Sequence, residues 1–246
     1  MNVGFIGSGN MARAIAIGIG APARFADGGS GRALALADEL GGEAGSVADV
    51  ASASEILFLC HKPAQLETVA VEIGSFGGTV VSVLAATPLT LLRGAYPDAR
   101  VVRTMPNTPV EFGSGVVCIA AESDESAVVT SLLAPLGEIV TVAESDFELA
   151  TAVGGCAPAF FALFCHELIN AAIDRGMDHE VARRIVGHTL NGTGDVLIAN
   201  GVDTEAAMRA VASPGGLTER ALRSFEQSRL RDAIDRAVAT VLGDDD

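Results

Sequence analysis

The chain alternates short apolar runs with longer segments whose apolar residues recur every three or four positions. VGFIG (3–7) is a compact apolar run closed by glycine, the pattern of a buried strand. NMARAIAIGIG (10–20) reads as a helix, ARFAD (23–27) as a second strand, and RALALADEL (32–40) as a second helix stopped by Gly41-Gly42. EILFLC (55–60), TVVSVLA (79–85), ARVVRTM (99–105), GVVCIA (115–120) and EIVTV (138–142) predict further strands, with helical segments between the first two and before the third. Strands that alternate with helices imply a mostly parallel sheet covered on both faces. After about residue 144 the strands stop, and 158–175, 178–200, 203–211 and 216–241 all carry helical patterns. The expectation is an α/β domain over 1–143 followed by an all-α domain over 144–246, with no internal repeat and no low-complexity linker.

The first turn carries chemistry. GFIGSGNMARA contains G-x-G-x-x-A as Gly7, Gly9 and Ala12, directly after a strand and at the start of a helix. In that context Gly7 permits a tight turn, Gly9 lets the backbone approach a pyrophosphate, and Ala12 lets helix and strand pack closely. The helix start supplies free N–H groups and a positive dipole end to phosphates. Ile6, Gly7, Ser8, Gly9, Asn10 and Met11 are therefore expected to bind a dinucleotide. Its identity stays open between NADH and NADPH. Asp27 ends the second strand, where an acid binds ribose hydroxyls and favours NAD. Ser30 and Arg32 follow, and they could instead hold a 2′-phosphate and favour NADP.

Composition narrows the partners. With 246 residues of which 49% are hydrophobic, the chain can bury a sizeable core, and without Trp and with one Tyr that core is small and aliphatic. The net charge of −15 argues against nucleic acid and anionic membrane as partners. Fifteen arginines stand beside a single lysine, Lys62, and this acidic, lysine-poor balance fits a protein kept soluble in high salt. Cys60, Cys118, Cys156 and Cys165 are scattered, and read as reduced, buried thiols of a cytoplasmic protein. No basic stretch leads into an apolar one at the N-terminus, so no signal peptide is expected. The longest uncharged apolar stretch, about 149–165, contains two Gly and a Pro and reads as a core helix rather than a membrane span. His179 and His188 are nine residues apart, not the four that put two ligands on one helix face, and His166 adjoins Cys165 on a different face. No metal site is expected.

Four segments, IGSGNMA near the start, FLCHKPAQL (58–66), VVRTMPNTPVEFGSG (101–115) and SPGGLT (213–218), resemble in order and spacing the pyrroline-5-carboxylate reductase family. The resemblance runs over nearly the whole chain, and RTMPNTP (103–109) and SPGGLT are its most specific pieces. It implies a doubly wound Rossmann domain, then a helical domain that dimerises through interlocking helices, in some members within larger rings of dimers. It implies reduction of a cyclic imine carboxylate to proline by NADPH or NADH. It places Cys60, His61, Lys62 and Pro63 beside the cofactor, and Ala85, Met105, Pro106 and Asn107 near the nicotinamide. In the SPGGLT turn it implies that Ser213, Gly215, Gly216, Leu217 and Thr218 hold the substrate, with the N–H groups of Gly216, Leu217 and Thr218 receiving its carboxylate. The Thr218 hydroxyl, the catalytic candidate, is implied to hydrogen-bond the ring nitrogen or the carboxylate. Without the resemblance, Thr218 reads as a helix N-cap and Asn107 as a turn residue bonded to its own backbone.

The chain also departs from the family pattern. ATAVGGCAPAFF (150–161) stands where relatives read close to ATAVSGSGPAYV, so Gly154 and Cys156 replace serines, Ala157 a glycine and Phe160 a tyrosine. Ala86 replaces a usual glycine, and Leu217 a Thr or Ala. These changes leave open a reductase of another small cyclic imine or a non-catalytic dinucleotide sensor, and the first domain is also similar to that of a deazaflavin-linked dinucleotide oxidoreductase.

Overall fold

The structure is a computed structural model, and it describes residues 1–121 and 123–244. Its first compact unit is Met1–Cys156 and its second Ala157–Asp246. The first unit runs β1 (Val3–Ile6), α1 (Asn10–Ile19), β2 (Ala23–Ala26), α2 (Arg32–Leu40), β3 (Glu43–Ala44), α3 (Val47–Ser52), β4 (Ile56–Leu59), α4 (Leu66–Ile73), β5 (Thr79–Ser82), α5 (Leu89–Ala95), β6 (Arg100–Pro106), β7 (Gly115–Ala120), α6 (Ser123–Leu133), β8 (Gly137–Thr141) and α7 (Phe147–Ala150). The strands form one sheet in the order β3-β2-β1-β4-β5-β6-β7-β8. All pairings are parallel except β6 with β7.

The apolar strand runs explain this arrangement. A strand buried on both faces needs apolar residues at successive positions, and β1, β4 and β5 are buried throughout. Phe5 pairs in register with Phe25 and Phe58, and the three rings stack with centroids 5.4 and 4.8 Å apart. They head one core, under α1 and α2, with Ile15, Leu36 and Val102. On the other face Leu57, Leu59, Val80 and Val101 pack with Val69, Leu92 and Phe147. Crossovers leave β1 toward β2 on one side, and the chain returns to β4 on the other. This reversal of strand order opens a crevice beyond the carboxyl ends of β1 and β4, the place where such sheets bind ligands.

The expected strands are all present; the sequence reading assigned no helix to α6 or α7, and it missed two short elements, β3 and α3. Their few residues give no usable periodicity. A six-residue π-helical turn, Thr151–Cys156, follows α7.

The second unit contains α8 (Ala157–Ile173), α9 (His179–Ala199), α10 (Thr204–Val211), α11 (Leu217–Gln227) and α12 (Leu230–Leu242). The helical pattern over 216–241 is divided. Arg229 adopts a left-handed conformation, φ 55°, and pairs with Asp232, so the chain breaks without a Gly or Pro to announce it. A second expectation is corrected more sharply: the apolar stretch at 149–165 is not a core helix of the single chain. Phe161 and Leu163 are each 59% exposed, and Phe164 and Leu168 are exposed too. Among the described residues of this unit only Ala157 and Ala182 are buried. The helical stretch Glu144–Ile173 is long and apolar enough to cross a membrane by length and composition alone, a test that core helices of soluble proteins also pass. The thiols differ from expectation too: only Cys118 is buried, the other three are half-buried, and all four are free.

Candidate active site

The glycine turn between β1 and α1 is shaped by its neighbour loop. Gly7 has φ 101°, and a Cβ there would lie 2.4–2.5 Å from the Cys60 carbonyl group and the His61 nitrogen. The loop Cys60–Pro63 therefore crosses directly over Gly7, tied by the Cys60 N–H to the Ile6 carbonyl at 2.7 Å. Gly9 is the N-cap of α1 without a side-chain cap, and a Cβ there would meet nothing within 4 Å. The first helical bond is from the Arg13 N–H to the Gly9 carbonyl, so the N–H groups of Asn10, Met11 and Ala12 remain outside the helical pattern. An open glycine cap, unbonded donors and no acidic residue in the first turn make an anion-receiving helix start. The residues present thus fit a dinucleotide pyrophosphate. Ser8 is buried, and its hydroxyl donates to the Ala26 carbonyl at 3.2 Å, tying the turn to β2.

Asp27 is also engaged internally. Oδ1 accepts the N–H groups of Gly29 and Ser30 at 2.7 and 3.1 Å. Oδ2 accepts the Ser30 hydroxyl at 2.8 Å and the Ala33 N–H at 2.9 Å. These bonds fill the usual acceptor positions of a carboxylate. They hold its pKa below the ordinary value, the Ala33 N–H first among the causes. Asp27 therefore caps α2 and folds the Gly-Gly-Ser-Gly loop, leaving Arg32 exposed at its end.

In the crossing loop, burial raises the Cys60 thiol well above its ordinary pKa, so it is not a thiolate. Burial likewise pushes His61 down, keeping it neutral. Its Nδ1 lies 2.9 Å from the Lys62 carbonyl, which only accepts, so Nδ1 carries the proton and Nε2 a lone pair. That Nε2 is buried without a protein partner. Lys62 is exposed, and its backbone N–H donates to Gln65 Oε1 at 3.0 Å.

At the far end of β6, Asn107 bridges two segments instead of closing a local turn. Its Nδ2 donates to the Gly154 carbonyl at 3.1 Å, and its Oδ1 accepts the Val116 N–H at 2.9 Å. A Cβ on Gly155 would stand 3.2 Å from Met105 Cγ, so the π-turn is laid close against β6. Ala85 is exposed, and next to it Ala86 takes a left-handed φ of 49°.

The sequence reading gave Arg103 no role, yet it is the largest fully buried side chain, 2% exposed. Its guanidinium donates to Glu144 Oε1 at 2.9 Å and Glu148 Oε1 at 2.5 Å, and stacks 4.0 Å over the Phe147 ring. Glu144 Oε1 also accepts the Leu89 N–H. Arg103 and Asn107 thus fasten β6 to both ends of the segment 144–156.

In the helical unit, Ser213–Thr218 form a loop entering α11. Gly215 has φ 74°, and a Cβ on Gly216 would stand 2.7 Å from Ser213 Oγ. Gly216, not Thr218, is the N-cap, which corrects the capping alternative for Thr218. The Gly216 N–H is taken by the Ser213 carbonyl at 2.9 Å, so it is not a free donor as expected. The first helical bond is Arg220 N–H to Gly216 carbonyl, which leaves Leu217, Thr218 and Glu219 as the unbonded first-turn donors. The Thr218 hydroxyl has no hydrogen-bond partner among the described residues. Leu217 projects its side chain outward, 78% exposed.

A doubly wound sheet with an uncapped, glycine-led helix start at its switch point defines a dinucleotide-binding oxidoreductase fold. Comparison with known proteins carries the assignment further. Residues 144–244 match a family model described as pyrroline-5-carboxylate reductase dimerisation, and residues 2–86 match one described as NADP oxidoreductase, coenzyme F420-dependent. The pyrroline-5-carboxylate reductase of Treponema pallidum is 33% identical, over 98% of this chain and 99% of that protein. That of Escherichia coli is 29% identical, over 96% and 94%. The crystal structure of 1-pyrroline-5-carboxylate reductase from Streptococcus pyogenes superposes with a TM-score of 0.88 at 26% identity, covering 98% of each chain. The chain belongs to the pyrroline-5-carboxylate reductase family.

Proposed function

We propose that this protein is an NADPH-linked reductase that converts 1-pyrroline-5-carboxylate to proline, the closing step of proline biosynthesis. Full-length similarity to reductases of that name carries the reading. The fingerprint turn holds the pyrophosphate through the N–H groups of Asn10, Met11 and Ala12. The loop Ser30–Arg32 meets the adenosine ribose, and Asp27 shapes that loop without facing the ribose itself. Cys60, His61, Lys62 and Pro63 lie along the cofactor, and Ala85, Met105, Pro106 and Asn107 border the nicotinamide. His61 Nε2, an acceptor without a protein partner, suits a donor group of the bound cofactor.

NADPH, when bound, supplies the hydride. A protonated imine is already electrophilic, so the chain's own residues position rather than activate. The N–H groups of Leu217 and Thr218 orient the substrate carboxylate. The Thr218 hydroxyl hydrogen-bonds the ring nitrogen or the carboxylate, and the glycines at 215 and 216 let the ring approach the backbone. Fixing this alignment is a large part of the rate gain.

The segment 144–246 acts as a dimerisation and substrate domain. The exposed apolar faces of α8 and α9 are covered by a second copy of this chain, and such dimers assemble into a larger ring. The acidic surface keeps the protein away from nucleic acid and membranes, in the cytoplasm. Oxidation of NADPH and of NADH, measured side by side with pyrroline-5-carboxylate, tests the activity. Tight dinucleotide binding without turnover would overturn it.

A further inference from the structure

The substrate loop is held from outside by a side chain that the reaction does not use. Glu219 stands in the first turn of α11, and its carboxylate turns back toward the loop. Oε2 accepts the Gly215 N–H at 2.8 Å, while Oε1 is held by Arg223 Nη2 at 3.0 Å, one helical turn on. The two oxygens thus divide their duties, one facing the loop and one facing a cation. The Gly215 N–H leads the causes that lower the Glu219 pKa, followed by Arg223, so the group is ionised at neutral pH.

This loop needs bracing. Ser213-Pro214-Gly215-Gly216 carries two adjacent glycines, the residues that lose most freedom on ordering. The glycines are nonetheless required, because Gly215 is left-handed and Gly216 has no room for a Cβ. The donors that follow are useful only if the loop already holds its bound shape, since ordering it on binding would weaken affinity. Inside the loop, the turn from Gly216 N–H to Ser213 carbonyl fixes one end. Glu219 fixes the other. It also keeps its own negative charge paired with Arg223, beside donors meant for another carboxylate.

We infer that Glu219, anchored by Arg223, is a positioning residue that pre-forms the 213–218 loop for the carboxylate of the imine substrate. The inference rests on the reading of this loop as the substrate site, and the test separates the two. Kinetics are measured on the full-length enzyme with pyrroline-5-carboxylate and with 1-pyrroline, the same ring without its carboxylate. Affinity for NADP+ and hydrogen exchange at the Gly215 amide are followed in parallel.

Glu219→Ala is expected to raise KM for pyrroline-5-carboxylate about tenfold, the scale of a lost hydrogen bond to a charged group. Its kcat, its kinetics with 1-pyrroline and its NADP+ affinity stay unchanged, and Gly215 exchanges faster. Glu219→Gln is expected to restore KM, because its amide oxygen still accepts the Gly215 N–H. An unchanged KM in Glu219→Ala overturns the inference, and so does a lowered one, which would make Glu219 a competitor of the substrate. A wild-type enzyme that does not distinguish the two imines overturns the substrate reading of the loop itself, before any variant is made.

Discussion

At the scale of single residues, Asp27 decides more about the cofactor loop than its position at a strand end suggests. An acid there is commonly read as a ribose ligand, but this one has its acceptor positions filled by Gly29, Ser30 and Ala33. Asp27→Ala should cost about 1 kcal/mol of stability, the usual loss of a helix cap. Because its folded pKa lies below the unfolded value, this stability is present above about pH 4 and lost as pH falls through the lowered pKa. Denaturant titrations of wild type and variant at neutral and acid pH check both statements. In Asp27→Asn, KM for NADH and for NADPH should rise together, because both cofactors meet the loop that the carboxylate shapes. A rise specific to NADH would show that the carboxylate leaves its loop to bind ribose. Ala86 is a second case. Its left-handed φ of 49° costs an alanine about 1 kcal/mol, so Ala86→Gly should raise Tm, less the entropy glycine adds to the unfolded chain. Part of this was legible in the sequence. Asp27 precedes a glycine-rich turn and a helix, which is a capping signal as much as a ribose signal. The Gly216 N–H was not legible as taken, because that depends on the loop's path and not on residue type.

At the scale of elements, the strands were legible because burial on both faces writes continuous apolar runs. The attachment of the segment 144–156 was not. Arg103 meets Glu144 and Glu148 across 41 and 45 residues of sequence, and no periodicity connects them. An arginine inside a strand-like run could have been noticed, since a charge in a buried strand requires a partner. Removing that partner set should be costly in one direction only. Arg103→Met deletes the buried cation and leaves two glutamates whose side chains are 36% and 49% exposed, so water reaches them in part although Glu144 Oε2 is itself buried. About 2 kcal/mol is expected, below the 3–5 typical of stranding a fully buried charge. Glu148→Gln should cost far less, because Glu144 still pairs the guanidinium and an amide oxygen can still accept. Urea unfolding of the two variants tests the order, and equal losses would show that the Glu148 carboxylate carries the whole attachment, with the stacking on Phe147 adding nothing.

At the scale of the whole molecule, two surfaces make opposing demands. Apolar side chains on α8 and α9, Phe161, Leu163, Val181 and Ile185 among them, stand open in the single chain. Covering them releases water and favours association. The net charge of −15 resists it, since every added copy brings the same charge. The apolarity of α8 was legible in the sequence, but what covers it was not, because a core helix and an interface helix share one composition. Salt separates the two contributions: it screens the repulsion within about 10 Å at 0.1 M and leaves the apolar attraction in place. The proposed dimer should therefore tighten as KCl rises, and Tm should increase both with protein concentration and with salt. Sedimentation equilibrium across a KCl series, paired with thermal melts at two protein concentrations, measures this. A monomer at every salt and concentration would mean that the exposed helices are not a dimer surface. A dimer whose affinity ignores salt would mean that its acidic groups lie far from the contact, and would remove the argument linking this composition to solubility in high salt.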